Sequence, residues 1–181
     1  MPSHNQAIQL MRMADCHLSN TYRWLHDSAE LRRQVDSLEA PTQEGNQAYW
    51  HANWKDSRRE DYAIVRTADN SHIGNCGLCD IDLRRRKAQL WIYLGDSYGK
   101  GTGTSAVGQL LFRAFDELNL DRVYLRVIAS NPRALHFYQK LGFVEEGRFR
   151  QDTHFNGQSI DSVCMSMLKQ EYRKKPEGGI L

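Results

Sequence analysis

No stretch of this sequence approaches the ~20 consecutive apolar residues that a helix needs to cross a bilayer. The opening Met1-Pro2-Ser3-His4-Asn5-Gln6 has no basic segment leading into an apolar one, so no secretory leader is expected and the expected location is the cytoplasm. An excess of either charge is also missing. The 24 Lys+Arg against 22 Asp+Glu leave a formal net charge of +2, too small a basic surplus for a nucleic-acid-binding face. The clearest basic run, Arg84-Arg85-Arg86-Lys87, reads as a solvated hairpin turn. Cysteine is scarce, with 4 in the chain. Cys76-Gly77-Leu78-Cys79 spells a C-x-x-C, but it lies in strand-like sequence, where a spacing of three puts the thiols on opposite faces. No second C-x-x-C or C-x-x-H completes a zinc set, so neither a metal nor a disulfide is expected.

What is present suits one domain of ordinary size, since 181 residues can bury one sizeable core. The expected order begins with a short strand, Ile8–Arg12, then a helix marked by Leu18, Tyr22 and Leu25. Pro41-Thr42 opens a second helix with Thr42 as its N-cap; its Tyr49, Trp50 and Trp54 pack inward or line a cleft. A meander follows, with strands at 61–67, 72–82 and 88–94, the first two joined by the turn residues Ala68-Asp69-Asn70. The last of these, carrying Leu90-Trp91-Ile92-Tyr93-Leu94, is apolar enough to be covered on both faces.

The period then changes. Beyond a glycine-rich segment at 95–103, Val107, Leu110, Leu111, Ala114 and Leu118 form one stripe of a helix, and 123–128 returns to strand. Strand, helix and strand make a βαβ unit, so the two strands should be parallel. Asn131 caps the next helix, Pro132 takes its first position and Gly142 its left-handed end. Strands at 143–150 and 162–168 flank an Asn156-Gly157 hairpin signal. The fold class is therefore α+β: one domain over 1–172, with a mixed sheet, and a polar, flexible tail over 173–181.

Two segments carry chemistry. In Tyr98-Gly99-Lys100-Gly101-Thr102-Gly103-Thr104 the glycines let backbone amides point outward at a helix N-terminus, a setting for phosphate or pyrophosphate. The spacing matches neither a Walker A motif nor the dinucleotide fingerprint. The second segment is the helix after Asn131. Tyr138 lies seven residues on, about two turns, and so shares a face with the cap.

The pair Tyr-Gly-Lys-Gly-Thr-Gly and Asn-Pro-x-Ala-x-x-Phe-Tyr-x-Lys-Leu-Gly-Phe resembles the GNAT acetyltransferase superfamily. Ile81-Asp82 and Phe155-Asn156-Gly157-x-x-x-Asp161 resemble its branch of spermidine and ribosomal-protein N-terminal acetyltransferases. The likeness is good over roughly 60–170 and looser before it. It implies a mostly antiparallel sheet with a splayed central parallel pair, acetyl-CoA as co-substrate, and no metal. By the same resemblance, the amides of Gly99, Lys100, Gly101, Thr102, Gly103 and Thr104 hold the pyrophosphate; Tyr98, also a candidate there, stands where relatives commonly carry Arg or Gln, which weakens side-chain contact with phosphate and leaves the amides intact. Ile92 and Leu94 hold the pantetheine arm through their backbone, Asn131 contacts it, and Tyr138 protonates the departing thiolate.

The acceptor is less defined. Two strand positions where relatives often carry Glu hold Gln89 and Arg126. A base is left to water, to Asp27, Glu30 or Glu44, or to His136 or His154; Asp27, Gln89 and Arg126 are the candidate substrate residues. Arg126 either favours an acceptor with a phosphate or carboxylate over a polyamine, or neutralises a buried carboxylate. The expected partner is a small-molecule amine (polyamine, amino sugar or amino acid derivative), with no nucleic acid and no membrane. A homo-oligomer, in its simplest form a homodimer, is compatible with this. A protein N-terminal or lysine acetyltransferase and a non-catalytic CoA-binding module are the competing functions.

Overall fold

A computed structural model of the chain describes residues 7–35, 39–95 and 101–174. Its centre is a seven-stranded sheet in the order β1-β2-β3-β4-β5-β7-β6. The strands are β1 (Ile8–Arg12), β2 (Glu60–Arg66), β3 (His72–Asp82), β4 (Lys87–Leu94), β5 (Arg122–Ile128), β6 (Val144–Phe155) and β7 (Gln158–Leu168). Every pairing is antiparallel except β4 with β5, the pair that the βαβ pattern predicts. The helices are α1 (Leu18–Asp27), α2 (Ala29–Gln34), α3 (Gln43–Asn53), α4 (Thr102–Phe112), α5 (Pro132–Lys140) and α6 (Lys169–Arg173).

The two faces of the sheet are covered by different means. One carries Leu78, Leu90, Val123, Leu125, Val163, Met165 and Met167, sealed by Val107, Leu110 and Leu111 of α4 and by Tyr138 of α5. Burial of the α4 stripe explains its periodicity. The helix does not stay regular to Leu118, however. Arg113–Glu117 is a π-helical turn, which keeps Ala114 and Phe115 wholly buried at the crossover. The opposite face, under α1 and α3, holds Trp50, Ala63 and Val65, with Trp24, Leu31 and Tyr93 beside them.

A buried polar network crosses that second face. Asn75 Nδ2 donates to Tyr93 Oη at 2.7 Å and to Thr21 Oγ1 at 2.9 Å, while its Oδ1 meets His72 Nε2 at 2.8 Å. Asn75 and Thr21 are fully buried, so these bonds replace water that cannot reach them. They tie α1 to β3 and β4 and hold Tyr93 in place.

Local signals behave as the residue types dictate. Thr42 caps α3 through Gly45 N at 3.0 Å, and Asn131 caps α5 through Ala134 N at 3.1 Å. Asn156 and Gly157 both take positive φ, 49° and 77°, in the tight β6–β7 turn. The basic run forms the β3–β4 turn, where Arg85 binds Asp82 at 3.0 Å. Cys76 is buried in the α4-side core and Cys79 lies on the other face of β3 beside the cleft; both are free thiols. The last strands extend further than their apolar residues suggest. Gln151 adopts φ 53° and a register shift lies between Phe149 and Thr153, so β6 continues to Phe155. Arg173, assigned to the tail from sequence, ends α6, and the tail from 175 onward lies outside the described residues.

Two substitutions test this packing. A Cβ on Gly77 would stand 2.4 Å from the Glu60 carbonyl oxygen and 2.9 Å from Trp91 Nε1, whereas one on Gly147 meets nothing within 4 Å. Gly77→Ala should therefore cost about 1–3 kcal/mol in a denaturant titration, and Gly147→Ala should stay within about 0.5 kcal/mol. Asn75→Ala takes the amide donor from the buried Thr21 and Tyr93 hydroxyls, although Thr21 still donates to the His17 carbonyl at 3.0 Å, and should lose about 1–3 kcal/mol in all, read by the same titration.

Candidate active site

The sheet opens at its middle. Residues of β4 and β5 pair only at Lys87–Arg122, Ala88–Val123 and Gln89–Tyr124, yet β4 runs on to Leu94 and β5 to Ile128. Past Gln89 the strands diverge, and a cleft of about 630 Å³ occupies the gap. Leu90, Trp91, Ile92 and Tyr93 all line it. Adjacent strand residues point to opposite faces, so a cavity touched by all four must run along the strand's edge. There the β4 backbone has N–H and C=O groups that β5 does not take. An extended, amide-bearing chain could bind such an edge as an added strand does.

The α5 helix closes one wall with Asn131, Ala134 and Tyr138. Tyr138 is only 8% exposed and packs edge-on against Phe137 and Phe143, with ring centroids at 5.0 and 5.6 Å. Its hydroxyl has no hydrogen-bond partner among the described residues. Burial, together with the nearby Cys76 thiol, pushes its phenol above the ordinary value, so it stays protonated at neutral pH. Asn131 spends its Oδ1 on the cap, which leaves the amide nitrogen to the cleft.

At the start of α4, Gly101 occupies the N-cap with φ 74°, a conformation that a β-branched residue resists. The amides of Thr102, Gly103 and Thr104 belong to the first helical turn and have no intrahelical acceptor. Thr102 is 1% exposed and its Oγ1 is buried without a partner among the described residues. A Cβ on Gly103 would lie 3.3 Å from Phe137, so this turn packs directly on the helix that carries Tyr138. Tyr98, Gly99 and Lys100 lie outside the described residues.

The remaining wall faces α3. Gly45, Asn46, Tyr49 and Trp50 line the cleft from that helix, with Gln34, Val35 and Pro41 beside them. Trp50, 3% exposed, serves core and cleft wall at once, Tyr49 at 55% stands on the cleft side, and Trp54 packs against the core without lining the cavity. Gln89 and Arg126 both reach the cavity, as does Asp152, which the sequence reading left out. Asp152 follows the bulged Gln151, beyond the point where strand alternation seemed to end, and only the altered register turns it inward. Arg59 and Cys79 are also on the lining. Burial pushes the Cys79 thiol up to about 11, so it is not a thiolate nucleophile at neutral pH.

Other candidates stand elsewhere. Asp27 ends α1, exposed and bonded to His26 at 3.0 Å, and does not line the cleft. Glu30, Glu44, His136 and His154 are exposed and also absent from the lining. Leu94 packs against the α4-side core rather than lining the cavity, whereas Ile92 does both. Among the described residues, no group of three or more His, Cys, Asp or Glu is placed to hold a metal, and no helix is long and apolar enough to cross a membrane.

A family model described as the acetyltransferase (GNAT) domain matches residues 8–144. The spermidine N(1)-acetyltransferase of Vibrio cholerae serotype O1 is 33% identical over 115 residues, covering 63% of this chain and 66% of that protein. The enzyme of the same name from Escherichia coli K12 is 33% identical over 110 residues, covering 60% and 59%. The matched stretch thus spans less than two thirds of either relative's length. A crystal structure of the Vibrio cholerae spermidine N-acetyltransferase with CoA and spermine superposes with a TM-score of 0.85 at 23% identity, covering 92% of this chain and 98% of that one. At that identity the likeness speaks for the fold. With a splayed parallel pair, a glycine-capped helix beside it and a family model spanning well over half its length, the chain belongs to the GNAT acetyltransferase family.

Proposed function

We propose that the protein transfers the acetyl group of acetyl-CoA to a primary amine of a small molecule by direct attack. The observation that carries this is Tyr138, a residue 8% exposed whose phenol stays protonated and has no hydrogen-bond partner among the described residues, on the wall of a cleft that runs along an open strand edge. Acetyl-CoA supplies a thioester whose arm has amides suited to that edge. Its pyrophosphate suits the free amides of Gly101–Thr104; Tyr98, Gly99 and Lys100, which lie outside the described residues, are the further residues assigned to it. Ile92 and Leu94 offer backbone groups to the arm, and Asn131 offers its amide nitrogen.

The chemistry then asks little of the side chains. The cleft orients an amine against the thioester carbon, where holding the reactants in place supplies much of the acceleration. As the C–N bond forms and the C–S bond breaks, Tyr138 delivers its proton to sulfur. The amine's own proton leaves to water or to Asp152, the carboxylate among the described lining residues. A volume of about 630 Å³, walled by α3, α5 and the β6–β7 hairpin, is of small-molecule size and favours this over a peptide acceptor, which needs an open trench.

Calorimetric titration with CoA should give measurable heat and a raised melting temperature. Gly101→Val, which forces a β-branched residue to φ 74°, should remove both. No heat and no melting shift at millimolar CoA in the native protein contradicts the proposal. Tyr138→Phe keeps the ring's packing and removes the acid. Turnover, followed by thiol release, should fall about 10²–10⁴-fold while CoA affinity changes little. Near-normal turnover in that variant retires Tyr138 as the acid.

A further inference from the structure

Building on the acetyl-transfer reading, we propose that Arg126 reads an oxyanion, a carboxylate or a phosphate, on the acceptor. The preferred acceptors are then amines that carry such a group rather than polyamines.

The lining of the cleft has an unusual balance of charge for a polyamine site. The cationic side chains on it are Arg59 and Arg126, and the carboxylate among the described residues there is Asp152. Arg59 is committed elsewhere: it forks onto the buried Asp61 carboxylate at 2.9 and 3.3 Å, and both side chains are largely enclosed. A polyamine is a pure donor with several positive charges. Among the described residues of this cleft it would meet two guanidinium groups and one shared carboxylate.

Arg126 is held differently from Arg59. It sits on β5 past the last β4–β5 pair, in the diverging part of the splay, on the side of the sheet that carries Tyr124. Its guanidinium carbon lies over the Phe149 ring, 4.7 Å from the centroid. Nη1 stands 3.4 Å from both oxygens of Asp152, beyond the ~2.7–2.9 Å of a closed charge-assisted bond. One Asp152 oxygen is meanwhile taken by the Ser162 hydroxyl. The Arg126 side chain stays 48% exposed. The Nη1–Asp152 contact is thus the polar contact of this guanidinium among the described residues, on a half-exposed side chain that lines the cavity. Simple neutralisation of Asp152 accounts poorly for this, because a neutralising arginine closes onto its carboxylate as Arg59 does. An arginine fork matches carboxylate and phosphate geometry, and Asp152 beside it can steer the amine end of the same molecule.

Matched amines that differ by one oxyanion test the proposal: lysine against cadaverine, and phosphoethanolamine against ethanolamine, with spermidine as a further arm. Thiol release from acetyl-CoA gives kcat/KM for each. The oxyanion member of at least one pair should be preferred by about 10-fold or more, and which pair responds separates carboxylate from phosphate. Arg126→Gln should shrink that ratio and Arg126→Glu should invert it toward cadaverine and spermidine. A retained melting shift with CoA reports that each variant is folded. Preference for cadaverine, ethanolamine or spermidine in the native protein overturns the proposal, as does a ratio that Arg126→Glu leaves unmoved. If CoA binds but none of these amines is acetylated, stabilisation of the CoA-loaded protein by lysine or phosphoethanolamine is read instead, and its absence also overturns it. Absence of CoA binding is a separate result: it removes the acetyl-transfer reading, and this inference falls with it.

Discussion

The separation of β4 from β5 after Gln89 is the constraint on which the rest of the molecule turns. A parallel pair deep in a sheet normally satisfies its backbone along its whole length, and an unpaired buried edge is costly. Here the cost is met by arrangement. The N-terminal halves of the strands are zipped, the C-terminal halves part, and the freed edge faces a cavity rather than apolar packing. β5 is not left without partners, because β7 pairs with it from Arg122 to Ile128. The divergence is thus one-sided: β4 bears the open edge, and β5 is held back by its antiparallel neighbour.

The helices make the opening permanent. The network of Asn75, Tyr93, Thr21 and His72 pins α1 to β3 and β4 on one face. On the other face α4 and α5 seal the core and meet at Gly103 and Phe137. That contact links two functions the sequence keeps about 35 residues apart: the amide-presenting turn of α4 and the tyrosine of α5. A side chain at 103 would press on Phe137, whose ring is itself edge-on to Tyr138. Glycine there therefore sets the seat of the Tyr138 ring as well as the space before the turn.

Much of this was legible in the residues, for identifiable reasons. The βαβ unit, the caps Thr42 and Asn131, and the Asn156-Gly157 turn all rest on local chemistry that tertiary contacts do not overrule. Tyr138 and Asn131 were placed on one face by helical period alone, and both line the cleft. Asp152 was hidden because a bulge at Gln151 changes which side of β6 faces inward, and alternation cannot reveal that. The roles of Arg59 and Cys79 were hidden because they come to the cleft across β2 and β3, strands whose register depends on the bulge between Ile64 and Val65. The π-helical turn at Arg113–Glu117 left no mark on the apolar stripe either, since it shifts backbone bonds while keeping Ala114 and Phe115 inward.

A division of labour follows from these placements. In the proposed reaction the thioester side of the cleft is built from backbone edge, helix-terminal amides and one phenol, groups that the strand divergence and the glycine turn present whatever amine is used. The acceptor side, on the same proposal, is built from Gln89, Arg126, Asp152 and the aromatics of α3 that line the cavity. Substitution there alters charge and shape without disturbing the zipped strand halves or the α4–α5 contact. The fold can thus keep its acetyl chemistry while the acceptor changes. Identity with polyamine enzymes over part of the chain therefore bears on the shared acetyl chemistry, and the acceptor is decided locally, where Arg126 and Asp152 stand 3.4 Å apart on the cleft lining.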